Sequence, residues 1–312
     1  MQAADYISFL RRGGKELSRT TDFVAKMYQA YGEFRPVVQD LIGSIDEYND
    51  PKDHTAFLGE GTNANAFTFD YKGRTLVARV PRGDAVGNGL AYDDAVTFEQ
   101  GNDIPNLQHL VAAAPDRGII ITELLPGKNL TDMTYEELLA VPKEHLAELV
   151  ELGFKMHDHG LGTDPKSSNY MYDPIHGFSL LDYGRLDNPN AEPRDKYLSA
   201  LSTIRSVVDG KASTFAYNED EPYDSDHNQA YSLEVSLNGM RLQQRLLEVL
   251  QTSYPEILQA AAAYQREMDA DPNQFGGDAF QVNIEHMPVE GSEELKRYKD
   301  QLLSLGIASA HE

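Results

Sequence analysis

No cysteine occurs among the 312 residues. That removes a disulfide framework, a thiolate zinc site and a cysteine nucleophile from consideration. Basic side chains are scarce as well: 27 Lys and Arg stand against 50 Asp and Glu, a formal net charge of −23. Nucleic-acid binding works by neutralising phosphates with basic surface, and the balance here argues against it. The same acidity favours solubility and would suit a cationic substrate or a basic partner. Long apolar runs are missing too. The opening residues, MQAADYISFLRRGGKELSR, lack the apolar core of a secretory signal, and no run is long enough to span a bilayer. The expectation is a cytoplasmic protein with no membrane insertion.

What the chain does have is the composition of a globular protein. With 41% hydrophobic and 25% charged residues, disorder is not the default. The length allows one large two-lobed domain or two ordinary ones. Residues 1–50 read mostly as helix, since Phe23, Val24, Met27 and Tyr28 recur at three- and four-residue steps. The turn residues of EYNDPKDH, 47–54, mark a boundary. From 56 the texture becomes that of strands. AFLGEGTNANAFTFDYKGRTLVARV reads as two strands around a glycine-bearing turn, with YKG as a hairpin. A helix is predicted over 91–100 and a buried strand over 118–125. Beyond PGKNL, residues 134–157 form one amphipathic helical pattern through Leu138, Leu139, Leu146, Leu149, Leu152 and Phe154. Short strands are expected at 168–173 and 178–182, and helices at 195–208, 229–251, 254–268 and 292–305. A strand-rich part followed by a helix-rich part suggests two lobes with a cleft between them.

One polar constellation stands out. In GTDPKSSNYMYDPIHGFSLLDYG, residues 162–184, Asp164, Lys166, Asn169 and Asp182 crowd around an expected hairpin. Two acids, an amide and a cation are costly to bury without partners, and a metal bound to a phosphate would supply them. Upstream, Gly59 and Gly61 in LGEGTNANAF permit close approach of an anion to backbone N–H groups. The segment fits neither the dinucleotide fingerprint, because a strand follows it, nor the Walker pattern, because no Gly-Lys-Ser/Thr follows. Arg79 lies on the strand TLVARV, and Glu99 on the next predicted helix could orient a cation.

Taken together, DPKSSN followed by DYG resembles the D-x-K-x-x-N catalytic loop and D-F-G of the protein-kinase-like superfamily, in type, order and spacing. Working outward, GEGTNA resembles the glycine-rich loop, VARV the strand bearing the nucleotide lysine, Glu99 the helix glutamate and TELLPG the hinge; the likeness covers roughly 56–185. The resemblance implies an α+β, two-lobed kinase-like fold. Its parts would be a helical N-terminal extension (1–52), a small antiparallel-sheet N-lobe (53–125) and a larger helical C-lobe (126–312). It implies ATP and Mg²⁺ as cofactors. Gly59, Gly61, Arg79, Glu99 and the backbone of Glu123 and Leu125 would bind the nucleotide. Asn169 and Asp182 would hold the metal, Asp164 would orient or deprotonate a substrate hydroxyl, and Lys166 would neutralise the transferring phosphoryl group.

The departures narrow the reading. Arg79 stands where the family usually has lysine, and the swap is not conservative. Gly162 and Thr163 replace the usual His-Arg before the catalytic Asp, Ala64 replaces the third glycine, and no Ala-Pro-Glu follows DYG. Lys166 is the protein-kinase choice at its position. The LLPG hinge, the short segment after DYG and the acidic surface lean toward a small cationic substrate. A Ser/Thr-directed protein kinase is the expectation; a small-molecule kinase and an ATP-binding pseudokinase or scaffold are the alternatives. The acceptor is then a protein or a small cationic hydroxyl compound. Two lesser features are HDH at 157–159, which suits a helix end better than a metal pair, and the acidic loop of Glu219, Asp220, Glu221, Asp224 and Asp226, read as solvated.

Overall fold

Val24, Tyr31, Phe34, Val38, Leu41 and Ile45 recur at steps of three, four and seven, a single helical stripe, and they are the buried residues of helix α1, Leu17–Ile45. Pro36 lies inside this helix and removes one of its hydrogen bonds. Both Pro36 and Gly32, whose carbonyl loses that donor, are exposed, so water can take the freed group. The computed structural model describes residues 17–61, 64–82, 90–163, 166–185, 196–197, 200, 226–270 and 293–308. It divides into two compact units, Met1–Leu125 and Pro126–Glu312. The architecture is α+β, with a small antiparallel sheet and several helices.

The first unit is built on strands β1 (Phe57–Glu60), β2 (Ala64–Tyr71), β3 (Arg74–Pro81), β4 (Leu110–Ala114) and β5 (Ile119–Glu123), with helix α2 (Leu90–Gly101) between β3 and β4. Their spatial order is β1-β2-β3-β5-β4, and every pairing is antiparallel. Three strands therefore occupy 57–81, where the sequence reading has two. The YKG hairpin forms as expected: Lys72 and Gly73 have φ of 51° and 77°, the left-handed pair that a two-residue hairpin turn requires. Strand alternation sorts the side chains. Phe67, Phe69, Leu76, Ala78, Ile119 and Ile121 share one core with Tyr31, Phe34, Val38, Leu41 and Ile45 of α1. The opposite face carries Ala66, Val77, Arg79, Ile120 and Thr122, which are cross-strand neighbours by register. Strand β4 went unforeseen, because LVAAA is alanine-rich and shows no period-two alternation.

In the second unit, β6 (Lys128–Asn129), β8 (Tyr170–Asp173) and β9 (Gly177–Leu180) form one sheet, while β7 (Leu161–Thr163) and β10 (Tyr183–Arg185) form a two-stranded ladder. The helix expected over 134–157 is two helices, α3 (Tyr135–Leu139) and α4 (Lys143–Asp158). Thr134 and Glu137 make a reciprocal capping box at the start of α3. Pro142 cannot continue a helix that needs its N–H, and α4 starts immediately after it. Helices α5 (Asp226–Ser253), α6 (Pro255–Ala270) and α7 (Glu293–Leu305) complete the unit, with α5 packed on α3, α4, α6 and α7. Arg245 of α5 donates to the carbonyls of Leu139 and Val141, satisfying groups freed where α3 stops. The helix expected over 195–208 falls almost wholly outside the described residues, as do 1–16 and most of the acidic loop. Among the described residues no helix is long and apolar enough to cross a membrane.

Candidate functional site

The second unit assembles its polar constellation through main-chain bonds. Strands β7 and β10 pair antiparallel with Tyr183 opposite Thr163, Gly184 opposite Gly162 and Arg185 opposite Leu161. The chain leaves this ladder at Thr163, one residue before Asp164, and enters it at Tyr183, one residue after Asp182. Asp164 itself lies outside the described residues. The Asn169 N–H donates to the Lys166 carbonyl at 2.9 Å, closing the 3-10 turn that carries both side chains. The Leu181 N–H donates to the Asn169 carbonyl at 2.7 Å. This last bond continues the β8–β9 ladder, in which Tyr170 faces Leu180. Asn169 and Asp182, thirteen positions apart, are thereby brought to the same ladder end. Lys166 and Asp182 are exposed, and Asn169 is half-buried.

Asn129 is a residue the sequence reading passed over. Its amide Nδ2 donates to the Ser168 carbonyl at 2.8 Å, and its Oδ1 accepts from the Thr131 N–H at 2.9 Å. It thus ties β6 to the turn that carries Lys166 and Asn169. The signal was present in PGKNL, where an Asn beside the first residue of a short helical turn has the chemistry of a cap. Gly127 in the same segment has φ of 97°, and a Cβ there would come within 2.2 Å of the Tyr172 carbonyl oxygen. Only glycine lets β6 run this close to β8.

The first unit presents the other expected residues. Gly59 and Gly61 lie on the arm leading into the β1–β2 turn, where the Gly61 N–H donates to the Ala64 carbonyl at 2.8 Å. A Cβ at Gly59 would meet nothing within 4 Å, so packing among the described residues does not demand glycine there. Glu60, between them, has its carboxyl held below the ordinary range, chiefly by the hydrogen bond from Lys52. The Arg79 guanidinium stands 5.9 Å from the centroid of the Phe98 ring, within cation–π range, and Phe98 immediately precedes Glu99 on α2. Thr122, on the Arg79 face, is fully buried with its hydroxyl unpaired among the described residues. Strand alternation from Arg79 and Ile120 could have found it.

Strand β5 ends at Glu123, and Leu124 and Leu125 lie beyond the ladder. The Glu123 N–H donates to the His109 carbonyl at 3.0 Å, and its carbonyl accepts from Gln108 Nε2 at 3.1 Å. A carbonyl oxygen has a second lone pair, so this acceptor can take one further donor. The Glu123 carboxylate accepts from Arg74 at 2.9 Å.

The HDH segment closes α4. His159 is the residue after the helix, with Nδ1 2.7 Å from the Lys155 carbonyl, and Asp158 pairs with Lys196 at 2.7 Å. The His159 contact is that of a helix end, while the Asp158 carboxylate, of the unfavourable sign beside a helix C-terminus, is offset by Lys196. For a divalent metal, Asn169 and Asp182 supply an amide oxygen and a carboxylate, hard donors of the kind Mg²⁺ prefers. The donor chemistry therefore fits the metal that the resemblance implies. No model of a known protein family matches the chain, and a search of curated proteins finds no match.

Proposed function

We propose that the chain is an ATP- and Mg²⁺-dependent phosphotransferase of kinase-like, two-lobed type, with a hydroxyl as acceptor. The observation that carries this reading is the Leu181-to-Asn169 bond, with the Thr163–Tyr183 pairing beside it. Together they bring Asn169 next to Asp182 at the ladder end from which the chain runs on to Asp164. Lys166 and Asp182 are exposed and Asn169 half-buried, so no burial cost has to be offset here; the support is the meeting of two hard oxygen donors at one ladder end.

In this reading Asn169 and Asp182 hold Mg²⁺, which would neutralise charge on the nucleotide's phosphates. The acceptor oxygen attacks the γ-phosphorus, its bond to the β–γ bridging oxygen breaks, and ADP leaves. Asp164 orients the acceptor hydroxyl and takes its proton. Lys166, an exposed cation three residues before Asn169, offsets charge on the transferring group. The glycine hairpin and Arg79 serve the phosphates, and the backbone of Glu123 and Leu125 serves the adenine edge. A Ser/Thr-directed protein kinase is the favoured form because Lys166 occupies its position. The acidic balance of the chain supports a small cationic acceptor as the second form. A nucleotide-binding protein without catalysis draws on Arg79, whose planar guanidinium lies over Phe98 where the family usually keeps a lysine.

Thermal unfolding with nucleotide tests the reading. A ligand that binds only the folded state at 100 times its Kd stabilises it by about 2.7 kcal/mol. Mg²⁺-ATP should therefore raise Tm, and Asp182→Ala should lose most of the Mg²⁺-dependent part. The absence of any shift with millimolar nucleotide would count against both the enzyme and the nucleotide-binding reading.

A further inference from the structure

The arm of the glycine hairpin is gripped by two cations that the phosphotransferase reading does not use. Lys52 Nζ lies 2.9 Å from Glu60 Oε1, and Arg82 Nη1 lies 3.3 Å from Glu60 Oε2. The same Arg82 nitrogen donates to the Gly61 carbonyl at 3.1 Å. Arg82 directly follows Pro81, the β3 residue paired with Ala64 on the far side of the turn, so it reaches across the hairpin's open end. Lys52 comes from the other side, out of a 3-10 turn, Pro51–Asp53, capped by Asp50.

We propose that Arg82 is a positioning residue for nucleotide binding: it fixes the glycine hairpin through Gly61 and Glu60, and Lys52 braces Glu60 from the opposite side. The inference rests on the phosphotransferase reading. Its physical basis is entropic. Two glycines separated by one residue give this arm more backbone freedom than any other pair would, and that freedom must be lost when N–H groups line up on an anion. A Cβ at Gly59 would meet nothing within 4 Å, so among the described residues packing does not restrict the arm there. The β1–β2 ladder and the Gly61-to-Ala64 bond hold its main chain, and the ion pairs on Glu60 with the bond to the Gly61 carbonyl restrict it further before any ligand arrives. One terminal nitrogen, Arg82 Nη1, serves both acceptors and so couples the Glu60 carboxylate to the Gly61 carbonyl.

Amide hydrogen exchange of the nucleotide-free full chain, read over the peptide spanning 57–67, tests this together with Mg²⁺-ATP affinity and turnover. Arg82→Ala should speed exchange in the hairpin and weaken Mg²⁺-ATP binding, each on the order of three- to fivefold, the scale of an exposed ion pair plus one hydrogen bond. Turnover at saturating ATP should stay within about twofold, because fixing the hairpin acts on binding. Arg82→Lys should recover part of both effects, and Lys143→Ala, which breaks an exposed pair with Glu248 in the other unit, should move neither. Unchanged exchange in Arg82→Ala overturns the inference, as does faster exchange with unaltered affinity. Weaker affinity without faster exchange also overturns it, because Arg82 would then contact phosphate directly. If wild-type protein binds no nucleotide, the phosphotransferase reading fails and this inference with it. If wild type binds and the variants match it, only this inference fails.

Discussion

The two turns that carry the candidate chemistry differ in the side-chain contacts that supplement their main-chain bonds, one amide in the second unit and exposed ion pairs in the first. In the second unit the segment 166–169 and the approach to Asp182 are fastened by main chain. Lys166 bonds to Asn169, Asn169 to Leu181, and the Thr163–Tyr183 ladder closes alongside. In the first unit the arm of the glycine hairpin has main-chain bonds too, the β1–β2 ladder and Gly61 to Ala64, but it is also fastened at the surface by the side chains of Lys52 and Arg82. Backbone bonds do not depend on the side chains of the residues they join, so substituting Lys166 or Asp182 changes chemistry without removing a bond of the frame. Exposed ion pairs contribute about 0–1 kcal/mol each and weaken with salt. In the proposed reading, the metal and acceptor groups therefore sit on a fixed scaffold, while nucleotide affinity rests on contacts that one substitution or a change of ionic strength can tune.

Breaking the second unit's scaffold should have the largest effect. Gly127→Ala introduces a Cβ 2.2 Å from the Tyr172 carbonyl oxygen at a left-handed φ, and it should destabilise the chain by roughly 3 kcal/mol in a denaturant titration. Asn129→Ala is next. It leaves the Ser168 carbonyl and the Thr131 N–H without their side-chain partner, at a cost of about 1–2 kcal/mol. It should also reduce the Mg²⁺-dependent Tm shift, since the turn it anchors carries Asn169. Lys52→Ala sharpens the contrast from the other side. Global stability should not change measurably in the same titration, because both side chains of the Lys52–Glu60 pair are exposed. A loss as large as that of Gly127→Ala would erase the distinction between the two kinds of anchor.

The features legible in the sequence are those that local chemistry dictates. YKG has the residues of a tight turn, α1 follows an amphipathic stripe, and the expected strands between DPKSSN and DYG form as β8 and β9. The β7–β10 ladder was not legible. Strands β7 and β10 have three residues each, and Gly162 and Gly184 face one another in the middle. Neither strand shows the alternation or β-branched content by which strands are recognised. The break between α3 and α4 was legible in retrospect, since Thr134, Glu137 and Pro142 are all boundary residues lying within one continuous apolar stripe. The cap that Asn129 gives Thr131 is local and was legible, but the bonds from Arg82 to Gly61 and from Asn129 to Ser168 were not, because those partners are 21 and 39 positions away.

Whether the proposed Asp164–Lys166–Asn169–Asp182 constellation transfers phosphate is decided by binding and turnover measured on the same preparations. Mg²⁺-ATP affinity and transfer of labelled γ-phosphate to the protein itself, a protein mixture and cationic small molecules would be followed in wild type and Asp164→Asn. Labelled acceptor is expected with wild type, together with nucleotide affinity in Asp164→Asn within about twofold and transfer slower by roughly 100-fold or more, the scale of a positioned general base. Wild-type protein that binds Mg²⁺-ATP yet labels none of these acceptors would contradict the phosphotransferase reading.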